Sequence, residues 1–180
     1  MSEFIDEKRE AASEYEAIMA SQHDDMKAFK ESLNKLISVD SNYLDSYNTL
    51  YSIALSEEDF LGAEIMLNRA FDKALQLVGN SDGETWPKEL SWQNKSNQHI
   101  IRTFLNKSID FWMEDKWDEA KNILTFLNNT NPKEGLGFDF YLLAVSHKRV
   151  YSDFLDEYTD NGIPNKEGLA WFERNSKASK

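Results

Sequence analysis

Apolar residues recur along most of this chain at steps of three and four, and the alternation that marks a half-buried strand is nowhere sustained. The clearest stretch runs from about Phe60 to Val78, where Ala63, Leu67, Ala70, Ala74 and Leu77 share one helical face. Glu58 and Asp59 suit the positive end of that helix, and Gly79-Asn80 is the predicted stop. Two further stripes lie between Ser96 and Thr130: Ile101, Phe104, Leu105, Ser108, Ile109 and Trp112, then Trp117, Ala120, Leu124 and Leu127. Glu114-Asp115-Lys116 is the predicted turn between them. Asn131-Pro132 closes the second helix, because proline disfavours helical geometry in the residue before it.

Helix, tight turn, helix, proline is a hairpin, and the hairpin recurs. Moving 34 residues on from Phe104, Ser108 and Phe111 reaches Phe138, Leu142 and Val145, and the same step from Ala120 and Leu124 reaches Phe154 and Tyr158. Upstream, the same anchor spacing fits Tyr47, Tyr51, Ala54, Ala63, Leu67, Ala70 and Leu75, and one period earlier Phe29, Leu33, Leu36 and Ser41. Copies of about 10–43, 44–77, 101–134 and 135–168 result, with residues 78–100 inserted between the second and third. A terminal helix near Gly168–Arg174 must bury Leu169, Trp171 and Phe172, and a polar tail, 175–180, follows.

A 34-residue helical hairpin with large side chains on its first helix, an Ala and other small or apolar residues on its second, and a closing Pro resembles the tetratricopeptide repeat. Trp117-Asp118-Glu119-Ala120-Lys121 and Asn131-Pro132 carry the likeness best. The first copy departs from it at Ser13 and Glu16, the fourth at Asn161 and Lys166 late in its second helix. A narrower similarity links Trp86-Pro87-Lys88-Glu89-Leu90-Ser91-Trp92, Asn97, Arg102, Asn131-Pro132, Gly137 and Leu142-Leu143 to a subfamily related to the suppression-of-tumorigenicity protein. There Asp139 replaces the expected arginine and Gly135 an asparagine. The resemblance implies an all-α, right-handed array of antiparallel hairpins, about 3.5 to 4 repeats closed by a C-terminal capping helix. It also implies that the first helix of each hairpin lines a concave groove.

Composition narrows the partners. With 180 residues, 41% of them hydrophobic and 13% aromatic, the chain can bury a real core, and its length suits one domain. Its 32 acidic and 20 basic side chains leave a formal charge of −12, which argues against a nucleic acid or an anionic membrane surface as partner. Residues 1–78 hold 16 acidic and 7 basic side chains, so the amino-terminal half is a repelling cap or a site for basic segments. There is no cysteine, no basic and apolar leader at the amino terminus, and no apolar run of the roughly 20 residues that a span needs. Cytoplasmic residence is the expectation.

Catalytic chemistry finds little footing. His23, His99 and His147 fall in different copies or linkers and are expected to be ordinary surface or helix-end residues; no metal, phosphate or nucleophile motif occurs. Asp110, Glu114 and Asp118 have four-residue spacing, but the intervening turn keeps them off one face; Gln22-His23-Asp24-Asp25 is better explained by Asp24 as an N-cap. No cofactor or metal is expected, and a hydrolase is the least favoured reading. In the insertion Trp86, Leu90 and Trp92 either fold back over the core or dock a partner. In the implied groove the contact set is Arg102, Leu105, Asn106, Ile109, Trp112, Asp139 and Leu143, suited to a basic or amphipathic peptide or helix. The expected function is therefore a non-catalytic protein-binding adapter, and the alternative a self-associating homodimer.

Overall fold

The structure, a computed structural model, describes residues 3–21, 25–79, 86–131 and 137–177. Contacts divide the chain into two compact units, Met1–Asn106 and Lys107–Lys180. In the first, an extended amino-terminal segment leads into α1 (Glu10–Ala20), α2 (Met26–Val39), α3 (Asp45–Ser56) and α4 (Phe60–Val78). One turn of 3-10 helix, Lys95–Asn97, then enters α5 (Gln98–Met113), which runs on into the second unit. That unit continues with α6 (Trp117–Thr130), α7 (Phe138–Ser146), α8 (Tyr151–Tyr158), the short strands β1 (Thr159–Asp160) and β2 (Ile163–Pro164), and α9 (Lys166–Ser176).

The predicted period is visible in what is buried. Phe29, Leu33 and Leu36 on α2, Ala63, Leu67 and Ala70 on α4, Ala120, Leu124 and Leu127 on α6, and Phe154 and Tyr158 on α8 all lie in the core. Alanines at these anchors let neighbouring helices approach, while Tyr51 and Ala54 of α3 pack against Ala63 and Leu67 of α4. The turns inside the hairpins repeat as well. Glu58, Asp115 and Lys148 all adopt left-handed backbone, with φ of 60, 58 and 49°. After each, one amide reaches back five residues: Asp59 N to Ala54 O at 2.9 Å, Lys116 N to Phe111 O at 2.8 Å and Arg149 N to Ala144 O at 3.1 Å. This is the hydrogen bond of a Schellman close, made here without the usual glycine.

Local signals place the helix ends. Asp59, expected at the positive end of α4, also caps it by accepting from Gly62 N. At α2 the cap is Asp25, which accepts from the Lys27 and Ala28 amides, rather than Asp24. Asn80, Gln22, His23, Asp24, Pro132 and Gly135 lie outside the described residues. The acidic trio separates as expected: α5 ends at Met113, Asp110 pairs with Lys107 and Glu114 with Lys116.

The second unit is held by rings. Trp112 lies 5.0 Å from Tyr151 and 5.5 Å from Phe154 between centroids, and Phe154 in turn contacts Phe140 and Trp171 at 4.9 and 5.4 Å. Trp112 Nε1 donates to Arg149 O at 2.7 Å, so its one polar atom is satisfied inside. Of the terminal-helix residues, Trp171 joins this core, Phe172 is half-buried and Leu169 stays exposed. The fourth copy departs from a plain hairpin. Its second helix stops at Tyr158, where Asn161 and Gly162, with φ of 52 and 79°, turn β1 back onto β2. Asn-Gly supplies the two positive φ values a tight hairpin requires. Gly168 then lets α9 press against the Tyr158 carbonyl and the Phe140 ring, where a Cβ would collide.

Asp115→Gly and Lys148→Gly should each stabilise the protein by about 1 kcal/mol, since an L side chain in left-handed backbone is strained, and paired urea titrations check it. Trp112→Ala should cost about 3–5 kcal/mol in the same measurement, because it empties the centre of the aromatic core.

Candidate functional site

Elements of the first unit converge on a buried carboxylate. Asp6, on the extended amino-terminal segment, accepts from Arg9 Nε at 2.6 Å and Nη2 at 2.8 Å, and lies 3.0 Å from His99 Nε2. Arg9 extends the network to Asp40, at the end of α2, at 3.2 Å. His99 Nδ1 accepts from the Leu44 amide at 3.1 Å, so the ring proton resides on Nε2 and is directed at Asp6. Burial opposes the Asp6 charge, but the hydrogen bonds from His99 and Arg9 outweigh it and hold the carboxyl below its ordinary range. Arg9 is likewise disfavoured by burial and held charged by Asp6 and Asp40.

The same segment is tied to the insertion. Phe4 N donates to Glu89 O at 2.8 Å. Asn97 accepts from Asp6 N at 2.9 Å and donates to Phe4 O at 2.9 Å. With Leu90 wholly buried beneath, residues 86–97 are part of the first unit's packing.

A second polar seam joins α1, α3 and α5. The Tyr15 and Thr49 hydroxyls meet at 2.7 Å, 34 positions apart. Arg102 forks onto both oxygens of buried Asp45, with Nε to Oδ1 at 2.9 Å, while the Tyr43 hydroxyl donates to Oδ2. Asn48 donates to Thr103 Oγ1 at 3.0 Å and accepts from Asn106 Nδ2 at 3.2 Å. Burial works against the Arg102 charge and the Asp45 carboxylate overcomes it. Burial, aided by Asp45, pushes the Tyr43 hydroxyl far above its ordinary range, so that it stays protonated as a donor.

Above these seams lies a cleft of about 250 Å³ lined by Lys8, Ser13, Glu16, Lys95, Gln98 and the outer face of Arg102. Its floor is held by the networks just described. Lys8, Arg9, Lys95 and Arg102 all line it, four of the ten cationic side chains in a unit with 19 acidic ones.

The predicted contact set is only partly accessible. Arg102 is half-exposed above the Trp92 ring, and Leu105 and Asn106 are half-buried on the same helix. Ile109 and Leu143 are half-buried in the second unit, and Asp139 is exposed with its carboxylate on the Phe140 amide. Trp112 is 1% exposed and corrects the prediction: its stripe position faces the core, and it cannot receive a partner. Of the second patch, Leu90 is buried as well, Trp92 half-buried, and Trp86 still exposed while edging the Phe104 ring at 6.4 Å. His99 is a second correction. It does sit at a helix end, at the start of α5, but it is buried there rather than on the surface, and the apolar pair Ile100-Ile101 beside it was the available signal. Asp6 and Arg9 carried no such signal, since a short polar segment outside the periodic helices reads as solvated.

Among the described residues no group of three or more histidines and carboxylates could hold a metal ion, and no helix is long and apolar enough to cross a membrane. No known family, curated protein or solved structure matches the chain.

A carboxyl whose folded pKa is depressed stabilises the fold above its unfolded value, near 4, and that stabilisation is lost as pH falls through the folded value. Asp6→Asn should therefore unfold about 3–5 kcal/mol more easily at pH 7, leaving Arg9 buried without its main partner. Its deficit against wild type should shrink below about pH 4, as urea titrations across that range would show.

Proposed function

We propose that this chain is a non-catalytic protein-binding module whose units are stretches of a right-handed helical-hairpin array of tetratricopeptide type. The observation that carries the reading is the pairing of equivalent repeat positions. Tyr15 and Thr49 touch one period apart, and Asp45 and Arg102 are 57 positions apart, one 34-residue period plus the 23 residues of the insertion. First helices laid side by side by such contacts present a continuous face, as hairpin arrays do. In the first unit that face carries the cleft, with Arg102, Leu105 and Asn106 beside it.

An acid–base role for His99 fits poorly, because both ring nitrogens are engaged inside the protein. The mixed charge of the cleft suits a peptide or helical segment that carries basic side chains for Glu16 and Glu7 and an acidic one for Lys8 and Lys95. Ser13 and Lys95 are exposed and lie at the rim, so changing them spares the buried networks.

Peptides selected from a displayed random library against the full chain should bind the wild type and lose about tenfold or more affinity, roughly 1.4 kcal/mol, to Ser13→Arg/Lys95→Glu. The thermal midpoint of that variant should stay within a few degrees of wild type. Failure to recover any peptide, or unchanged binding by the variant, rejects the cleft as the binding site.

A further inference from the structure

Helix α4 has two apolar faces where folding needs one. Its inner face is complete: Ala63, Leu67, Ala70, Ala74 and Val78 are all buried. Yet Phe60 and Leu61 are each 68% exposed and Ile65 is 40% exposed, the first two exceeding every other large apolar side chain described in the unit. Leu61 and Ile65 stand one helical turn apart on the side away from the buried face, so the two form one patch, while Phe60 is exposed separately at the helix start. Exposure of a single leucine is ordinary; a contiguous group on the outer side of a filled helix is not.

The rim of the patch decides what can cover it. Glu58 and Glu64 lie three positions on either side of Leu61, with Glu57 and Asp59 next in the chain, all exposed. Lys30 reaches Glu57 from α2, and one Asp59 oxygen caps the helix. Among the described residues no cation pairs with Glu58, Asp59 or Glu64. A second copy of this chain, face to face, would bring these carboxylates against their own kind as water is expelled, which is unfavourable. A wholly apolar partner would leave them desolvated and unpaired.

We propose that the Leu61 and Ile65 face of α4 docks a cationic amphipathic helix. The partner's apolar stripe covers these two side chains, and its lysines or arginines engage Glu58, Asp59 and Glu64. This surface is separate from the cleft and does not depend on the function proposed for it.

The test uses a labelled synthetic helix with leucine on one face and lysine on the other, titrated with the full chain by fluorescence anisotropy at low and high salt. Wild type should bind it, more weakly at high salt. Leu61→Ser/Ile65→Ser and Glu58→Lys/Glu64→Lys should each lose about tenfold or more, with thermal midpoints near wild type because all four positions are exposed. The cleft variant Ser13→Arg/Lys95→Glu should bind like wild type, which keeps the two surfaces distinguishable. The proposal is overturned by absence of binding to wild type, by equal binding of either patch variant, or by equal binding of a peptide with glutamate in place of lysine. Sedimentation showing a dimer that Leu61→Ser/Ile65→Ser dissolves would assign the face to a second copy and overturn it too.

Discussion

A carboxylate removed from water destabilises a protein by several kcal/mol unless charged and hydrogen-bonding partners surround it, and Asp6 is such a carboxylate. Its partners come from separate parts of the first unit: Arg9 from the start of α1 and His99 from α5. Arg9 is steered in turn by Asp40 at the end of α2, and His99 by the Leu44 amide at the start of α3. Each contact sets the position of one element against the amino-terminal segment. Moving any of them leaves a buried charge or a buried backbone amide without a partner, so these elements are positioned together rather than one by one.

The same economy limits what the inner face can offer a ligand. Asp45, Asn48, Thr103 and His99 look like recognition groups, but their hydrogen-bonding capacity is used inside the protein: Asp45 by Arg102, Asn48 by Thr103, and the His99 ring by the Leu44 amide and Asp6. What the seam holds without using up is the outer edge of Arg102, with Lys8, Lys95 and Glu16 around the cleft, and the proposed recognition rests on these. The outer face of α4 follows a different logic. No buried network reaches Phe60, Leu61 or Ile65, and their apolar surface is left over once Ala63, Leu67 and Ala70 have completed the core. The polar cleft and the apolar face of α4 are thus two physically different surfaces proposed for binding within one unit.

What could be read in advance was whatever depends on neighbours in sequence. The ends of α4, the Glu114 to Lys116 turn and the second-helix anchors were all legible, because a buried stripe needs side chains three and four residues apart and a cap needs a polar residue next to the helix. The Asn161-Gly162 hairpin was equally local. Its dipeptide signal was present, but strands of two residues each leave no alternation to detect. Trp112 shows where periodicity stops helping: position on a stripe tells which residues share a face, and leaves open whether that face meets solvent or an aromatic core.

By itself, then, the order of residues determined the helices, their hairpin period of 34 and the acidic character of the amino-terminal half. These follow from propensity, spacing and charge, each of which acts over a few residues or sums over many. Tertiary structure alone decided that Asp6, Arg9 and His99 form a buried network, that Arg102 belongs to Asp45, and that Leu61 and Ile65 remain outside while Leu90 and Trp112 go in. Those outcomes depend on which groups meet across tens of residues, and the free energy of a charge or a ring is set by its surroundings after the chain has closed around it.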